Sequence, residues 1–176
     1  MDALNNIFFL LGEYSHLILI IATLIICFNK KTLYYYYIFG LIVNNILNMY
    51  LKLLIREPRP QPLKNTNTTH SYQYLTHFNN YGMPSGHAQN AFFSTLYVWL
   101  ACKNIKVTLG YVFITLITLY QRVQYNMHTV SQVAVGSIIG TLMGAVSFMF
   151  FKKKIVGPLH FKPDDNFTIS SIGSNL

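Results

Sequence analysis

The chain has 176 residues, of which 52% are hydrophobic and only 10% charged, with a formal net charge of +8. Soluble domains carry about a quarter of their residues as charges, so this composition excludes an ordinary water-soluble domain and points to a membrane bundle. Two cysteines, Cys27 and Cys102, both at the ends of expected membrane segments, do not make a disulfide framework.

A bilayer core of about 30 Å needs about 20 residues of helix. Such stretches fall at about 6–28, 33–55, 85–102, 105–126 and 130–151. The expected fold is therefore an all-α, polytopic membrane bundle of about five helices. Residues 1–151 form the membrane-embedded domain, and 152–176 a basic, disordered cytoplasmic tail. In the first segment, Gly12, Glu13, Tyr14, Ser15 and His16 interrupt the apolar run, which is unbroken only over 17–28, so this helix is expected to begin at the interface. No basic region precedes it and Asp2 is acidic, so a cleaved signal peptide is not expected.

The second segment runs into the string KLLIREPRP (52–60). Lys52 and Arg59 stand where the helix leaves the membrane, and the prolines stop further helix and fix the direction of the loop. Both cations can point at one anion, and arginine is the planar, bidentate partner for phosphate oxygens. A long polar connection, 56–83, follows and reads as a rim or lid. The string YGMPSGHAQ (81–89) then opens the third helix. Pro84 suits a first helical turn, and Ser85 and Gly86 offer backbone N–H groups at a helix N-terminus, an anion site with His87 beside it. Between the fourth and fifth helices lies QRVQYNMHTVSQ (121–132). Arg122 precedes His128 across the turn, and Gln132 follows it one helical turn later. His128 is placed to act as nucleophile, with Gln132 accepting a hydrogen bond from one ring nitrogen and leaving the other free to attack phosphorus. An uncharged amide raises the basicity of the histidine less than a carboxylate would.

Taken singly, each string has a plainer reading: snorkelling anchors, a good helix start, a capping histidine beside a solvated arginine. Five alternating spans place all three strings at one end of the bundle, which weakens those readings together. The same topology sorts the charges. Lys30, Lys31, Lys103, Lys106, Lys152, Lys153, Lys154 and Lys162 fall on the side without motifs, and Lys52, Arg56, Arg59, Lys64 and Arg122 on the other. All three arginines lie in motif regions, and this placement argues against nucleic acid as the partner. The positive-inside rule assigns the motif-free side to the cytoplasm, so the strings face the lumen or exterior.

Polar residues within the helices also repeat at helical spacing: Asn44, Asn48 and Lys52; His87, Asn90 or Ala91, and Ser94; His128, Gln132, Gly136, Gly140 and Gly144. These stripes are expected to face one another, because a charge at the centre of the bilayer costs about 2.5 to 3.5 kcal/mol. The glycines would let a neighbouring helix approach the fifth closely.

The chain resembles the type 2 phosphatidic acid phosphatase superfamily, whose pattern is Lys, six residues, Arg-Pro; Pro-Ser-Gly-His; and Ser-Arg, five residues, His, three residues, Asp. It is most similar to the dolichyldiphosphatase branch, through EPRP, YGMPS and HTVSQV. The resemblance implies that Lys52, Arg59, Arg122 and the Ser85-Gly86 backbone hold the phosphate, that His128 forms a phosphohistidine and that His87 protonates the leaving group. Gln121 stands where the pattern has Ser and Gln132 where it has Asp, the latter as in the dolichyldiphosphatase branch.

The function expected is that of an integral membrane lipid phosphatase that hydrolyses a polyprenyl diphosphate, such as dolichyl diphosphate, without metal or other cofactor, at the lumenal face of the endoplasmic reticulum or another endomembrane. A phosphatase of phosphatidate or another lipid phosphate, and a non-catalytic lipid-binding membrane protein, are the alternatives. A transporter fits less well, since no ion-coupling acid lies at mid-membrane. Of the two Asn-x-Thr sequons, Asn67 lies on the motif side and Asn166 in the tail. A glycosidase-shift assay should find glycan on Asn67 only; glycan on Asn166 would reverse the orientation.

Overall fold

The computed structural model describes residues 2–60 and 80–152. Lys64, Asn67 and the expected cytoplasmic tail beyond residue 152 lie outside the described residues. Among the described residues five helices follow one another, α1 (Asp2–Cys27), α2 (Lys31–Ile55), α3 (Gly86–Cys102), α4 (Ile105–Gln124) and α5 (Val130–Lys152). The bundle is all-α, and α1, α2 and α5 contain stretches long and apolar enough to cross a membrane, Phe9–Cys27, Lys31–Ile55 and Val130–Phe150.

The connections explain the boundaries. At the far end, Lys30 N–H bonds the Cys27 carbonyl at 2.8 Å, and Asn104 caps α4 by accepting from the N–H groups of Lys106 and Val107. Lys103 ends α3 in the left-handed conformation, φ 51°, and Arg56 ends α2 in the same way, φ 53°. The turn at Arg56 sends residues 57–60 back across the end of the bundle. There Gly82 N–H donates to the Glu57 carbonyl at 2.7 Å, and Pro58 pairs with Tyr81 in an isolated antiparallel bridge.

α1 differs from expectation. The helix begins at Asp2, ahead of the apolar stretch expected from about residue 6, and runs unbroken through the polar residues 12–16, of which Glu13 and Ser15 find partners on α4. Ser15 meets Thr118 at 2.6 Å and Thr23 meets Tyr111 at 3.1 Å, stitching α1 to α4. The other helices are joined by the same device. Tyr37 bonds Ser94 at 2.7 Å between α2 and α3, and Thr95 bonds Thr115 at 2.8 Å between α3 and α4. Without water, every such group must be satisfied inside the protein.

α3 is the central helix and packs against the other four. It meets α2 through an amide layer in which Asn48 donates to Gln89 (2.7 Å), Gln89 to the Asn44 side chain (2.8 Å) and Asn44 to Asn90 (2.7 Å). Below that layer, Tyr37, Phe93, Tyr97 and Phe148 build an aromatic core with Cys27, Leu33 and Ala101. Large apolar side chains such as Ile25, Phe39, Leu54, Phe113 and Phe150 point outward, as lipid contact demands. The expected polar stripes thus face the interior, with Asn44, Asn48 and Lys52 all buried on one side of α2.

α3 and α5 touch backbone to backbone. A Cβ at Gly136 would lie 2.5 Å from the Ser85 carbonyl oxygen, and one at Gly140 2.1 Å from that of Gln89. At Gly144 it would come within 2.9 Å of the Phe93 oxygen. Gly140→Ala must force the helices apart at a cost of about 1–3 kcal/mol. Gly110, whose Cβ position is open, serves as control. Thermal unfolding in detergent should show a lowered Tm for Gly140→Ala and an unchanged or raised Tm for Gly110→Ala.

Candidate active site

The three strings meet at one end of the bundle. Lys52, in the last turn of α2, points inward and donates from Nζ to the Tyr81 carbonyl at 2.9 Å. Arg56 is exposed, its Nε reaching the Leu53 carbonyl at 2.9 Å. The returning segment 57–60 carries Arg59 back over the bundle, within electrostatic reach of Lys52, His87, Arg122 and His128. Its Nε is buried with no hydrogen-bond partner.

At the start of α3, two expectations need correction. Pro84 does not occupy the first turn; Ser85 is the N-cap and Gly86 the first helical residue. Nor is the Ser85 amide available to an anion, since it donates to the Gln132 carbonyl at 3.0 Å. What Ser85 offers is its hydroxyl, which neither caps α3 nor finds another partner although it is buried. His87, one residue into the helix, has its Nε2 3.7 Å from Glu13 Oε1, and its ring lies 4.0 Å from that of His16.

Arg122 closes α4, and its carbonyl receives the N–H groups of Met127 (3.0 Å) and His128 (3.1 Å), so one residue shapes the turn that presents the histidine. Its Nη2 donates to Glu13 Oε2 at 2.5 Å, while Nε is buried and unpartnered. Lys52, Arg122 and His128 are 5%, 2% and 2% exposed, so their mutual influence is little weakened by water. Gln121, at the position of the pattern's Ser, is fully buried and packs its methylenes where a Cβ on Gly12 of α1 would lie.

Thr129 and Gln132 form a capping box at the start of α5, Gln132 N–H bonding Thr129 Oγ1 (3.2 Å) and Thr129 N–H bonding Gln132 Oε1 (3.3 Å). The same Oε1 stands 3.1 Å from His128 Nδ1. Gln132 Nε2 donates to Glu57 Oε1 (2.7 Å) and the Pro58 carbonyl (2.9 Å). Both of those partners only accept, so the amide oxygen must face the histidine. Nδ1 then carries the proton and Nε2 keeps its lone pair. Burial, reinforced by the charges of Arg59, Lys52 and Arg122, holds the His128 pKa down at about 3 against the opposite pull of Gln132. The imidazole is neutral at physiological pH, the form that a nucleophile would need.

Four of the seven buried polar atoms without a hydrogen-bond partner among the described residues belong to this group: Arg59 Nε, Ser85 Oγ, His87 Nε2 and Arg122 Nε. Unmade hydrogen bonds of this kind cost about 1–3 kcal/mol each, and an oxyanion would satisfy several at once. No three His, Cys, Asp or Glu side chains among the described residues gather as a metal-holding group.

Sequence reasoning missed Glu13 and His16, treating them only as an interruption of α1. An acid inside an apolar helix is itself the signal, and Gly12, Ser15, His16, Leu19 and Thr23 recur at helical spacing. It also passed over Glu57, whose partner lies in another segment, and Gln89, which completes the amide layer beneath the site.

The profile of the PAP2 superfamily matches residues 33–155. Among curated proteins, the chain is 31% identical over 120 residues to the dolichyldiphosphatase of Saccharomyces cerevisiae, covering 62% of this chain and 48% of the yeast protein. It is 30% identical over 136 residues to dolichyldiphosphatase 1 of Homo sapiens, covering 68% and 53%. Lipid phosphate phosphatase gamma of Arabidopsis thaliana is 26% identical over 132 residues, covering 69% and 54%. The chain spans about half the length of these relatives. No solved structure matches it. With a match across most of the bundle, from α2 through α5, the chain belongs to the PAP2 superfamily.

Proposed function

We propose that this integral membrane protein hydrolyses a polyprenyl diphosphate, such as dolichyl diphosphate, to the monophosphate through a phosphohistidine on His128. The observation that carries the proposal is the convergence of Arg59, Arg122 and the Ser85 hydroxyl, all with buried unpartnered donors, on a histidine held neutral by its surroundings. His128 Nε2 attacks the terminal phosphorus as its bond to the bridging oxygen breaks. His87 gives a proton to that oxygen, and the polyprenyl monophosphate leaves. His87 then takes a proton from water, whose oxygen attacks phosphorus and releases inorganic phosphate while His128 regains its lone pair. Lys52, Arg59, Arg122, the Ser85 hydroxyl and the Gly86 N–H stabilise the phosphoryl oxygens, which gain charge as the transition state forms.

The apolar outer faces of the helices let a lipid tail remain in the bilayer while its headgroup enters the polar end. The dolichyldiphosphatase relatives support the diphosphate, and with it an endoplasmic reticulum or other endomembrane location, while the lysines on the motif-free side support a site facing the lumen. Similarity to the Arabidopsis lipid phosphate phosphatase supports a second reading, a lipid monophosphate such as phosphatidate. Phosphate release from dolichyl diphosphate and phosphatidate, measured side by side in mixed micelles, should favour the diphosphate; the reverse order would give the second reading.

His128→Ala should abolish phosphate release, and Arg122→Ala should lower kcat roughly 100- to 1,000-fold. Activity surviving in His128→Ala would remove the nucleophile from the scheme. Phosphate release should be unchanged by EDTA, and loss of activity there would contradict a metal-independent reaction.

The pKa of His128 lies below that of an ordinary imidazole, about 6.5. Its ring signal in histidine-selective NMR of the free protein should therefore remain that of the neutral form at pH 5; a midpoint near pH 6.5 would contradict the burial argument. Between that value and pH 3 the unfolded chain binds the proton more readily than the folded one, so this residue's contribution to stability falls as pH falls through that window.

A further inference from the structure

We propose that Glu57 is a positioning residue for the reaction, fixing the tautomer of His128 and supplying, through the side-chain amide of Gln132, the negative charge that the nucleophile lacks at its own side. The inference rests on the assignment of His128 as nucleophile. Its observations are the contacts of one amide. Gln132 Nε2 is 2.7 Å from Glu57 Oε1 and 2.9 Å from the Pro58 carbonyl, and Gln132 Oε1 is 3.1 Å from His128 Nδ1. Turning the amide over would set its oxygen against a carboxylate and a carbonyl, and its NH2 against the Thr129 N–H. The packing leaves little room for other orientations. A Cβ on Gly82 would come within 2.2 Å of Gln132 Oε1 and 2.5 Å of its Nε2, so this amide lies flat against backbone without a side chain.

Glu57 is itself held. Its carbonyl accepts the Gly82 N–H at 2.7 Å, beside the bridge between Pro58 and Tyr81. Among the described residues its carboxylate forms no salt bridge; the acid paired with the site's cations is Glu13. The charge of Glu57 is thus directed along the amide. A carboxylate bonded to the NH2 end increases electron density on the oxygen, strengthening its bond to His128 Nδ1–H. That matters most when Nε2 bonds to phosphorus and the ring becomes positive, since the charge then forms in a buried setting with three cations nearby. A hydrogen-bonded Gln alone would orient the ring without countering that charge.

The test relocates the charge. Glu57→Gln keeps the acceptor oxygen and removes the charge; Gln132→Asp puts a carboxylate beside His128 but sets it against Glu57; the double variant carries one carboxylate again, next to the histidine. On dolichyl diphosphate, Glu57→Gln should lower kcat by roughly 10- to 100-fold, the scale seen when the outer partner of a metal-bound histidine is removed, with KM within about twofold. Gln132→Asp should be impaired at least as much, and the double variant should exceed both. A Glu57→Gln enzyme with kcat within about twofold of wild type, or a double variant no better than the weaker single, would overturn the proposal. Histidine 15N NMR of the substrate-free protein gives a reading that needs no turnover: His128 should show the Nδ1–H tautomer in the wild type and a mixture in Glu57→Ala. An unaltered tautomer there would overturn the positioning role, whereas a wild type inactive on every lipid phosphate would instead overturn the proposed function.

Discussion

The close approach of α3 to α5 is the constraint on which the rest of the site depends. Three glycines let the two backbones touch, and at the top of that seam the Ser85 amide donates to the Gln132 carbonyl. This puts the start of α3, with its unpartnered serine hydroxyl and His87, beside the start of α5, with its capping box and His128. Moving either helix away from the other would break that interhelical bond. The packing that joins the two helices thus also sets the relative placement of the two histidines.

On that frame the chemistry is a matter of charge in a poorly solvated place. Lys52, Arg59 and Arg122 crowd an end of the bundle where each would repel the others, and the described acid beside them is Glu13 of α1. The beneficiary is His128, kept neutral because a fourth positive charge is unwelcome there. Beneath them the Asn44, Asn48, Gln89 and Asn90 layer has its amides bonded to one another, so it supports the site without adding charge of either sign. Such mutual satisfaction is what lets polar groups sit inside a membrane protein at tolerable cost.

Much of this was legible in the chain. The apolar runs gave α2 to α5 close to their observed ends, because lysines, prolines and Asn104 bound them sharply, and the spacings Lys52 to Arg59 and Arg122 to His128 marked the cationic cluster and its histidine. The first apolar run was read as interrupted because Glu13, Ser15 and His16 are polar; Arg122, Thr118 and His87, which they meet, lie on α3 and α4, and hydropathy along one segment does not reveal them. That the Ser85 amide is engaged escaped the sequence for a related reason. A helix start advertises its N–H groups, and only the packing of α5 shows that one is already engaged. Glu57 was passed over because its side chain meets an amide 75 residues further along the chain.

The Glu13–Arg122 pair has a consequence for how an anion would enter. A phosphoryl group arriving at Arg122 would find Nε free but Nη2 already partnered by a carboxylate, so bidentate binding would be an exchange of one anion for another at Nη2, with only the difference between them gained there. Exchange also runs backwards. On departure of such a group Glu13 would be placed to take the arginine again, which would shorten the residence of inorganic phosphate. A site of bare cations would hold its product tightly; one with a built-in competitor gives up affinity and gains release.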